Sequence, residues 1–189
     1  MIRVAPQPEP AAFDANVRIP GRAALTKGLD PLPPYWRDQM LVALHTAYGG
    51  ICAYLCTYIP RGTGARSTDH YVAKSRDRSL AYEWLNYRLA CSLMNSRKAA
   101  FDDILDPFEI EDGWFVLELS GLQVLPNPDL SADLRRKVQA TIDQLDLNDT
   151  ECLAARAEWY DDYLDHRRLD VLKRRSPFVA SELQRQAWV

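Results

Sequence analysis

Residues 68–98 read TDHYVAKSRDRSLAYEWLNYRLACSLMNSRK and carry the most chemically informative side chains of the chain. The run at 68–74 predicts a β-strand, and the residues before it at 51–59, ICAYLCTYI, are rich in aromatic and β-branched types and predict its partner. Residues 85–101 predict a helix, because leucines recur there at a spacing of four. We therefore expect a β-hairpin followed by a helix.

This segment holds the residue types that phosphodiester hydrolysis requires, namely a cation site, a base and a group that orients the base. Asp69 and Asn95 offer hard oxygen ligands of the kind that Mg²⁺ or Mn²⁺ prefers. His70 titrates in the range of a general base, and Asn86, near the expected helix start, is placed to orient it. The simpler alternatives are a structural histidine and a helix cap. Because neighbours on a regular strand point to opposite faces, Asp69 and His70 reach one site only if the strand bends.

Three ordered patterns carry a family resemblance: D-H-x-x-x-K-S at 69–75, Y-E-W-L-N-Y-R-L-A-C at 82–91 and M-N-S-R-K at 94–98. Together they resemble the HNH endonuclease superfamily, whose fold is the ββα-metal fold. The pattern is most similar to the HNH nuclease subunits of Septu-type and retron-associated anti-phage systems, which accompany an ATPase subunit. The segment TIDQLDLND at 141–149, followed by Arg156, resembles the helical tail of that branch.

The resemblance implies a role for each of four residues. Asp69 and Asn95 are implied as metal ligands, His70 as the general base, and Asn86 as the residue that pins the loop orienting His70. The implied activity is metal-dependent hydrolysis of DNA with Mg²⁺ or Mn²⁺, with RNA as the alternative substrate. The implied setting is anti-phage defence together with an ATPase subunit. The competing interpretation is an inactive HNH-like module that binds nucleic acid or a protein partner.

Charge is distributed unevenly along the chain. The formal net charge is −3, but residues 1–100 carry +6 and residues 101–189 carry −9. Within 61–98 there are eight basic residues and three acidic ones, which indicates either a polyanion-binding face or an ordinary solvated basic surface. Three side chains are the expected phosphate contacts: Lys74, Arg97 and Lys98.

Many members of the family carry two C-x-x-C pairs that bind zinc, and this chain departs from that pattern. The corresponding pairs are Cys52 with Leu55 and Cys91 with Met94, so the second cysteine of each is replaced by an apolar residue. A structural zinc site needs four ligands, and Cys56 could supply a third only after a shift of register. We therefore expect no structural zinc and a small apolar cluster in its place.

The fold class expected from these patterns is α+β and mainly helical, with a ββα-metal HNH core, a Pro-rich N-terminal arm and a helical C-terminal extension. The expected parts are an extended arm at 1–33, a helix plus the core at 34–101, and a hairpin with helices at 102–189 that forms one compact unit with the core. Further expected elements are a helix at 34–48, a hairpin at 108–119 around Asp112-Gly113, and helices at 131–146, 149–172 and 176–188.

Composition excludes several protein classes. The 189 residues are 47% hydrophobic and 26% charged, which excludes a disordered chain and a fibrous one. No apolar run approaches the roughly 18 residues of a membrane span, and the first residues do not have the pattern of a secretory signal. We therefore expect a cytoplasmic protein with no membrane partner, whose cysteines are thiols or metal ligands.

Overall fold

The computed structural model describes residues 1–101 and 103–188. The fold is α+β and mainly helical, and the described residues contain two small antiparallel sheets. In chain order the elements are α1 (Ile19–Thr26), α2 (Gln39–Ala47), β1 (Arg66–His70), β2 (Tyr87–Cys91), α3 (Ser92–Lys98), β3 (Phe115–Glu118), β4 (Gln123–Pro126), α4 (Ala132–Leu145), α5 (Thr150–His166), α6 (Leu169–Arg175) and α7 (Pro177–Arg185). No helix in these ranges is both long and apolar enough to cross a membrane.

β1 pairs with β2 in antiparallel register, with Asp69 opposite Arg88 and His70 opposite Tyr87, and α3 packs on both strands. The chain order of two strands followed by a helix agrees with the expectation. The two strands, however, lie at 66–70 and 87–91 and not at 51–59 and 68–74. The helix predicted over 85–101 begins only at Ser92, because residues 87–91 form a strand that is buried on both faces. A strand of this kind has no alternating polar pattern by which to recognise it.

The segment 51–59 is a compact turn and not the predicted strand. Ile51 and Tyr58 form an isolated bridge, and the Cys56 amide donates to the Cys52 carbonyl at 2.9 Å. The Ala53 amide donates to the Leu89 carbonyl at 2.8 Å, which attaches the turn to the free edge of β2. The turn therefore packs on the core, next to the edge of β2 that is not paired with β1.

The N-terminal arm is only partly extended, which corrects the expectation for residues 1–33. A π-helical turn at Asp14–Arg18 leads directly into α1. Phe13 is fully buried and makes edge-on ring contacts with Trp84 at 5.6 Å and Tyr87 at 5.8 Å. Burial of this aromatic anchor holds the arm against the core and permits a helix between its prolines.

The helix predicted over 34–48 begins later, at Gln39. The preceding residues form a turn in which the Arg37 amide donates to the Pro34 carbonyl, and Asp38 has a φ of 52°. This positive φ separates the turn from α2 and places Trp36 outside the helix. Trp36 is nevertheless buried, beside the end of β1.

The second sheet joins β3 to β4, with Phe115 opposite Pro126. The predicted hairpin over 108–119 is therefore wrong, although Gly113 does adopt a positive φ of 91°. The connecting loop lies at 119–122, where the Glu118 carboxylate accepts from the amides of Ser120 at 2.6 Å and Gly121 at 2.7 Å. Ser120-Gly121 is an ordinary turn signal that the sequence interpretation passed over.

The C-terminal helices lie close to their predicted ranges. The Ser131 hydroxyl accepts from the Leu134 amide at 3.3 Å and caps α4, as the sequence predicts. The helix predicted over 149–172 is divided, because Arg167 adopts a left-handed conformation and ends α5. Ser176, predicted as a cap for α7, makes no capping bond, and Pro177 begins that helix. One cluster of buried apolar side chains runs from Met1 to Leu183 and includes members of all three predicted parts.

Candidate functional site

A cavity of about 300 Å³ opens where β1 ends and α3 passes over it. Asp69 and His70 both line this cavity. They can do so because β1 ends at His70, so the end of the strand takes the place of the expected bend. Asn95 and Lys74 line it as well. The structure thus brings together four of the side chains that the sequence singled out, and the remaining lining residues are Thr68, Ala73, Ser75, Ala99 and Ala100.

The imidazole of His70 is held in one tautomer. Its Nε2 lies 2.9 Å from the Ala81 carbonyl oxygen, and because a carbonyl only accepts, Nε2 carries the proton. Nδ1 is then the acceptor, and Lys74 Nζ donates to it at 3.4 Å. Trp36 and Tyr87 flank the ring edge-on, with centroids 4.6 and 5.0 Å away. Burial, and then the Lys74 ammonium, lower the pKa of His70 to about 3, so the ring is neutral at physiological pH.

Asn86 closes the loop between the two strands. Its Oδ1 accepts from the Val72 amide at 2.8 Å, and its Nδ2 donates to the carbonyls of Val72 and Leu80, each at 3.1 Å. Leu80 immediately precedes Ala81, whose carbonyl fixes the His70 ring. Asn86 therefore acts on His70 through the loop backbone, while its position before β2 shows that the alternative of a helix cap is wrong.

Asp69 is buried and bonded on both oxygens. The Tyr54 hydroxyl donates to Oδ2, and Lys98 Nζ lies 3.4 Å from Oδ1. Burial raises the pKa of Asp69 although the Lys98 ammonium and the Tyr54 hydrogen bond act in the opposite direction. The sequence interpretation missed both partners. Tyr54 is brought in by the turn on the edge of β2, a placement that no local pattern predicts.

The prediction that Lys98 contacts phosphate at the surface is wrong. Its side chain has no exposed area, and besides pairing with Asp69 it donates to the His70 carbonyl at 3.1 Å. Lys98 therefore supports the end of β1 from inside the molecule. A buried lysine paired with a carboxylate is a structural arrangement unless a ligand displaces it.

Arg97, another of the expected phosphate contacts, is engaged by groups within the molecule. Its guanidinium donates to the carbonyls of Leu145 at 3.1 Å and Asp146 at 3.0 Å, and it pairs with the Asp149 carboxylate. These groups lie at the junction of α4 and α5, so Arg97 joins α3 to the C-terminal helices. Of the three expected phosphate contacts, Lys74 is the one whose side chain lines the cavity.

The cavity offers a hydrated Mg²⁺ or Mn²⁺ two hard oxygen donors, although Asp69, the carboxylate of the two, is already bonded on both oxygens. Mg²⁺ is commonly held by one or two carboxylates together with waters and substrate phosphate, and Asp69 with Asn95 supplies one carboxylate and one amide oxygen. Across residues 1–101 and 103–188 no group of three or more His, Cys, Asp or Glu side chains is placed to hold a metal ion. A cation here would depend on water and substrate for most of its ligands.

Cys52 and Cys91 lie side by side where the turn at 51–59 meets the end of β2. Cys52 Sγ lies 3.9 Å from Cys91 Sγ and accepts from the amides of Leu55 at 3.5 Å and Cys91 at 3.4 Å. Met94 is fully buried and Leu55 packs against the same core. Cys56 directs its thiol toward the carbonyls of its own turn, so it does not join the pair. Burial raises the pKa of Cys52. The absence of zinc stays a prediction.

No protein-family model and no curated protein sequence matches this chain significantly. The interpretation of the site consequently depends on the residues and their geometry.

Proposed function

We propose that the chain is a metal-dependent HNH-type endonuclease that hydrolyses phosphodiester bonds of DNA. The observation that carries the proposal is the state of His70. Its ring is neutral, its Nε2 is fixed by the Ala81 carbonyl, and it lines one cavity with Asp69 and Asn95. A positioned neutral imidazole beside hard oxygen ligands is suited to water activation at phosphorus once an anionic substrate raises its pKa towards the working pH.

In the proposed reaction a water attacks phosphorus while His70 Nδ1 takes one of its protons, and the bond from phosphorus to the leaving oxygen breaks. Lys74, which donates to Nδ1, must first release it, and the phosphate provides an alternative acceptor for the ammonium. An anionic substrate beside His70 also offsets the effect of Lys74 and raises the pKa of the ring. A divalent cation held by Asp69 and Asn95 would supply stabilisation of the charge on the phosphate and the leaving oxygen.

The second candidate is an inactive HNH-like module that binds nucleic acid or a partner. One observation favours it: lysine ammonium groups already contact the proposed metal ligand and the proposed base. Lys98 pairs with the Asp69 carboxylate, and Lys74 donates to His70 Nδ1. A cation site already neutralised by lysine binds metal weakly. The nuclease is preferred because all four motif residues are present and Nδ1 faces no other fixed partner among the described residues.

Cleavage of supercoiled plasmid in Mg²⁺ or Mn²⁺, with RNA assayed in parallel, tests the choice. His70→Ala should lower the rate by about 10²- to 10⁴-fold, the usual contribution of a general base, with an unchanged circular dichroism spectrum. His166→Ala is the matched control, because His166 is an exposed residue at the end of α5. Cleavage by His70→Ala at the wild-type rate would sink the assignment, and a wild-type chain that binds but never cuts would establish the inactive module.

The resemblance extends the proposal to anti-phage defence in the cytoplasm with an ATPase subunit. The acidic C-terminal helices offer a surface for such a subunit, with α5 carrying exposed carboxylates at Glu151, Asp161 and Asp165. Co-purification with the product of the neighbouring gene is the test. Full activity of the isolated chain and no stable complex would remove the subunit proposal while leaving the nuclease proposal intact.

A further inference from the structure

A second cavity, of about 620 Å³, lies beside the first. The two share Lys74 and Ser75 in their walls, so the second cavity is adjacent to the cavity at His70. Its other side is formed by the turn before α2, which contributes Trp36 and Arg37, and by Arg78 from the loop between the strands. No motif of the sequence analysis pointed to this turn.

The second cavity is positively charged. Three basic side chains line it, and the one carboxylate among its lining residues, Asp30, lies 3.5 Å from the Arg78 guanidinium. Arg37 is exposed and makes no ion pair with any described residue, and Lys74 has no carboxylate partner within that same part of the chain. Burial has the largest effect on the Lys74 ammonium and lowers its pKa, the Asp69 carboxylate raises it, and Arg37 and Lys98 lower it further. A cleft lined by three basic side chains and one carboxylate attracts an anion.

The Lys74 side chain is held at the junction of the two cavities. Its Nζ lies 4.8 Å from the centroid of the Trp36 ring and 3.4 Å from His70 Nδ1. Trp36 is buried and presents its ring to the lysine, so it orients a cation and is not available for a nucleobase to stack on. The chemistry of this cavity is therefore that of backbone phosphate.

We propose that the cavity lined by Arg37, Lys74 and Arg78 binds the backbone phosphate next to the scissile one, so that a strand runs from the His70 cavity across the turn before α2. The inference rests on the proposed function, because it takes the His70 cavity as the position of the scissile phosphate. It adds that the turn before α2 is part of the substrate-binding surface. Binding through phosphate alone is independent of base sequence.

The test measures binding and cleavage separately with the full chain. A labelled duplex is titrated by fluorescence anisotropy in EDTA over a series of salt concentrations, and Arg37→Gln is compared with Arg135→Gln. Arg135 is the matched control, because it is an exposed arginine of α4 whose guanidinium, among residues 1–101 and 103–188, donates only to the Pro128 carbonyl. Arg37→Gln should weaken binding on the order of tenfold at low salt and reduce the slope of log affinity against log salt by about 0.9, the loss of one phosphate contact. Arg135→Gln should change neither.

Cleavage in Mg²⁺ provides the second measurement. Arg37→Gln should raise KM by a similar factor and leave kcat unchanged, because Arg37 lies away from the reacting atoms. Equal salt slopes for Arg37→Gln and Arg135→Gln would overturn the inference, as would binding of inorganic phosphate that is as tight as that of the duplex. If the wild type binds with the expected dependence on Arg37 yet never cleaves, the phosphate site stands and the nuclease proposal fails. If the wild type cleaves DNA and Arg37→Gln changes neither binding nor cleavage, the nuclease proposal stands and the phosphate site fails.

Discussion

Replacing Lys98 by methionine tests the buried ion pair directly. The two side chains are almost entirely inaccessible, with exposed fractions of 0% for Lys98 and 3% for Asp69, and Nζ lies 3.4 Å from Oδ1. At an effective dielectric constant of about 20, this distance corresponds to about 5 kcal/mol of attraction. Lys98→Met also removes the bond to the His70 carbonyl, worth about 1 kcal/mol, while the variant no longer has to desolvate an ammonium. Methionine fills most of the volume, so we expect a net loss of about 3–5 kcal/mol in the free energy of unfolding.

The loss should depend on pH. Burial raises the folded-state pKa of Asp69 above its ordinary value of 3.8, so this carboxyl binds a proton more tightly in the folded chain and its contribution to stability falls as pH rises through that window. Lys98 opposes the shift, so its removal raises the pKa of Asp69 further. The difference in stability between the wild type and Lys98→Met should therefore be small near pH 4 and grow towards neutral pH, by at most about 1.4 kcal/mol per pH unit.

Urea unfolding followed by tryptophan fluorescence, in metal-free buffer across this pH range, gives the required free energies. The double variant Asp69→Asn with Lys98→Met is the matched control, because it removes both charges and keeps a group that accepts from Tyr54. It should recover at least about 2 kcal/mol of the loss at neutral pH. A loss below about 1 kcal/mol, or one that does not change with pH, would refute the argument that the pair is buried and mutually dependent.

Two further outcomes follow from the geometry. Asn86→Ala removes three hydrogen bonds inside the loop and should lower the free energy of unfolding by about 2–3 kcal/mol. It should lower kcat more than it raises KM. An unchanged kcat in a folded variant would show that the loop does not position His70. Elemental analysis should find well under one zinc per chain, because Cys52 and Cys91 supply two of the four ligands that a structural zinc site needs. EDTA should therefore remove nuclease activity without lowering Tm. Stoichiometric zinc, or unfolding on chelation, would contradict this prediction.

The motif residues could be found from the sequence because their spacing in the chain is fixed by the strand, loop and helix that carry them. His70, Asn86 and Asn95 lie on these local elements, and Asp69 with Asn95 and His70 does line one cavity. The bounds of the helices and strands were harder to predict than the motif residues. Leu85 and Leu89 share a helical spacing, yet Leu85 is 66% exposed and Leu89 lies within a strand, because burial of β2 on both faces erases the period of two.

The partners of the motif residues could not be predicted, because they arrive through tertiary contacts. Tyr54 precedes Asp69 by fifteen residues and approaches it only because Ala53 joins the edge of β2. Lys98 follows Asn95 by three positions, which suggests a shared face, but the helix ends there and the side chain turns inward to Asp69. A single sequence contains no signal for either contact, so the electrostatic state of the site is visible only in the structure.

The two neighbouring residues Arg97 and Lys98 connect α3 to opposite halves of the molecule. Lys98 binds the end of β1, while Arg97 binds the α4–α5 junction, and the Arg97 carbonyl in turn accepts from Gln144 at 3.2 Å. The helix that bears Asn95 is thus anchored on one side by the α4–α5 junction, which contributes no residue to the cavity itself. Protein engineers often treat a compact strand-and-helix site as a cassette to be cut out and grafted onto a new host. This one is not portable: a graft of residues 66–98 would leave Arg97 without its acceptors and the helix without its second anchor.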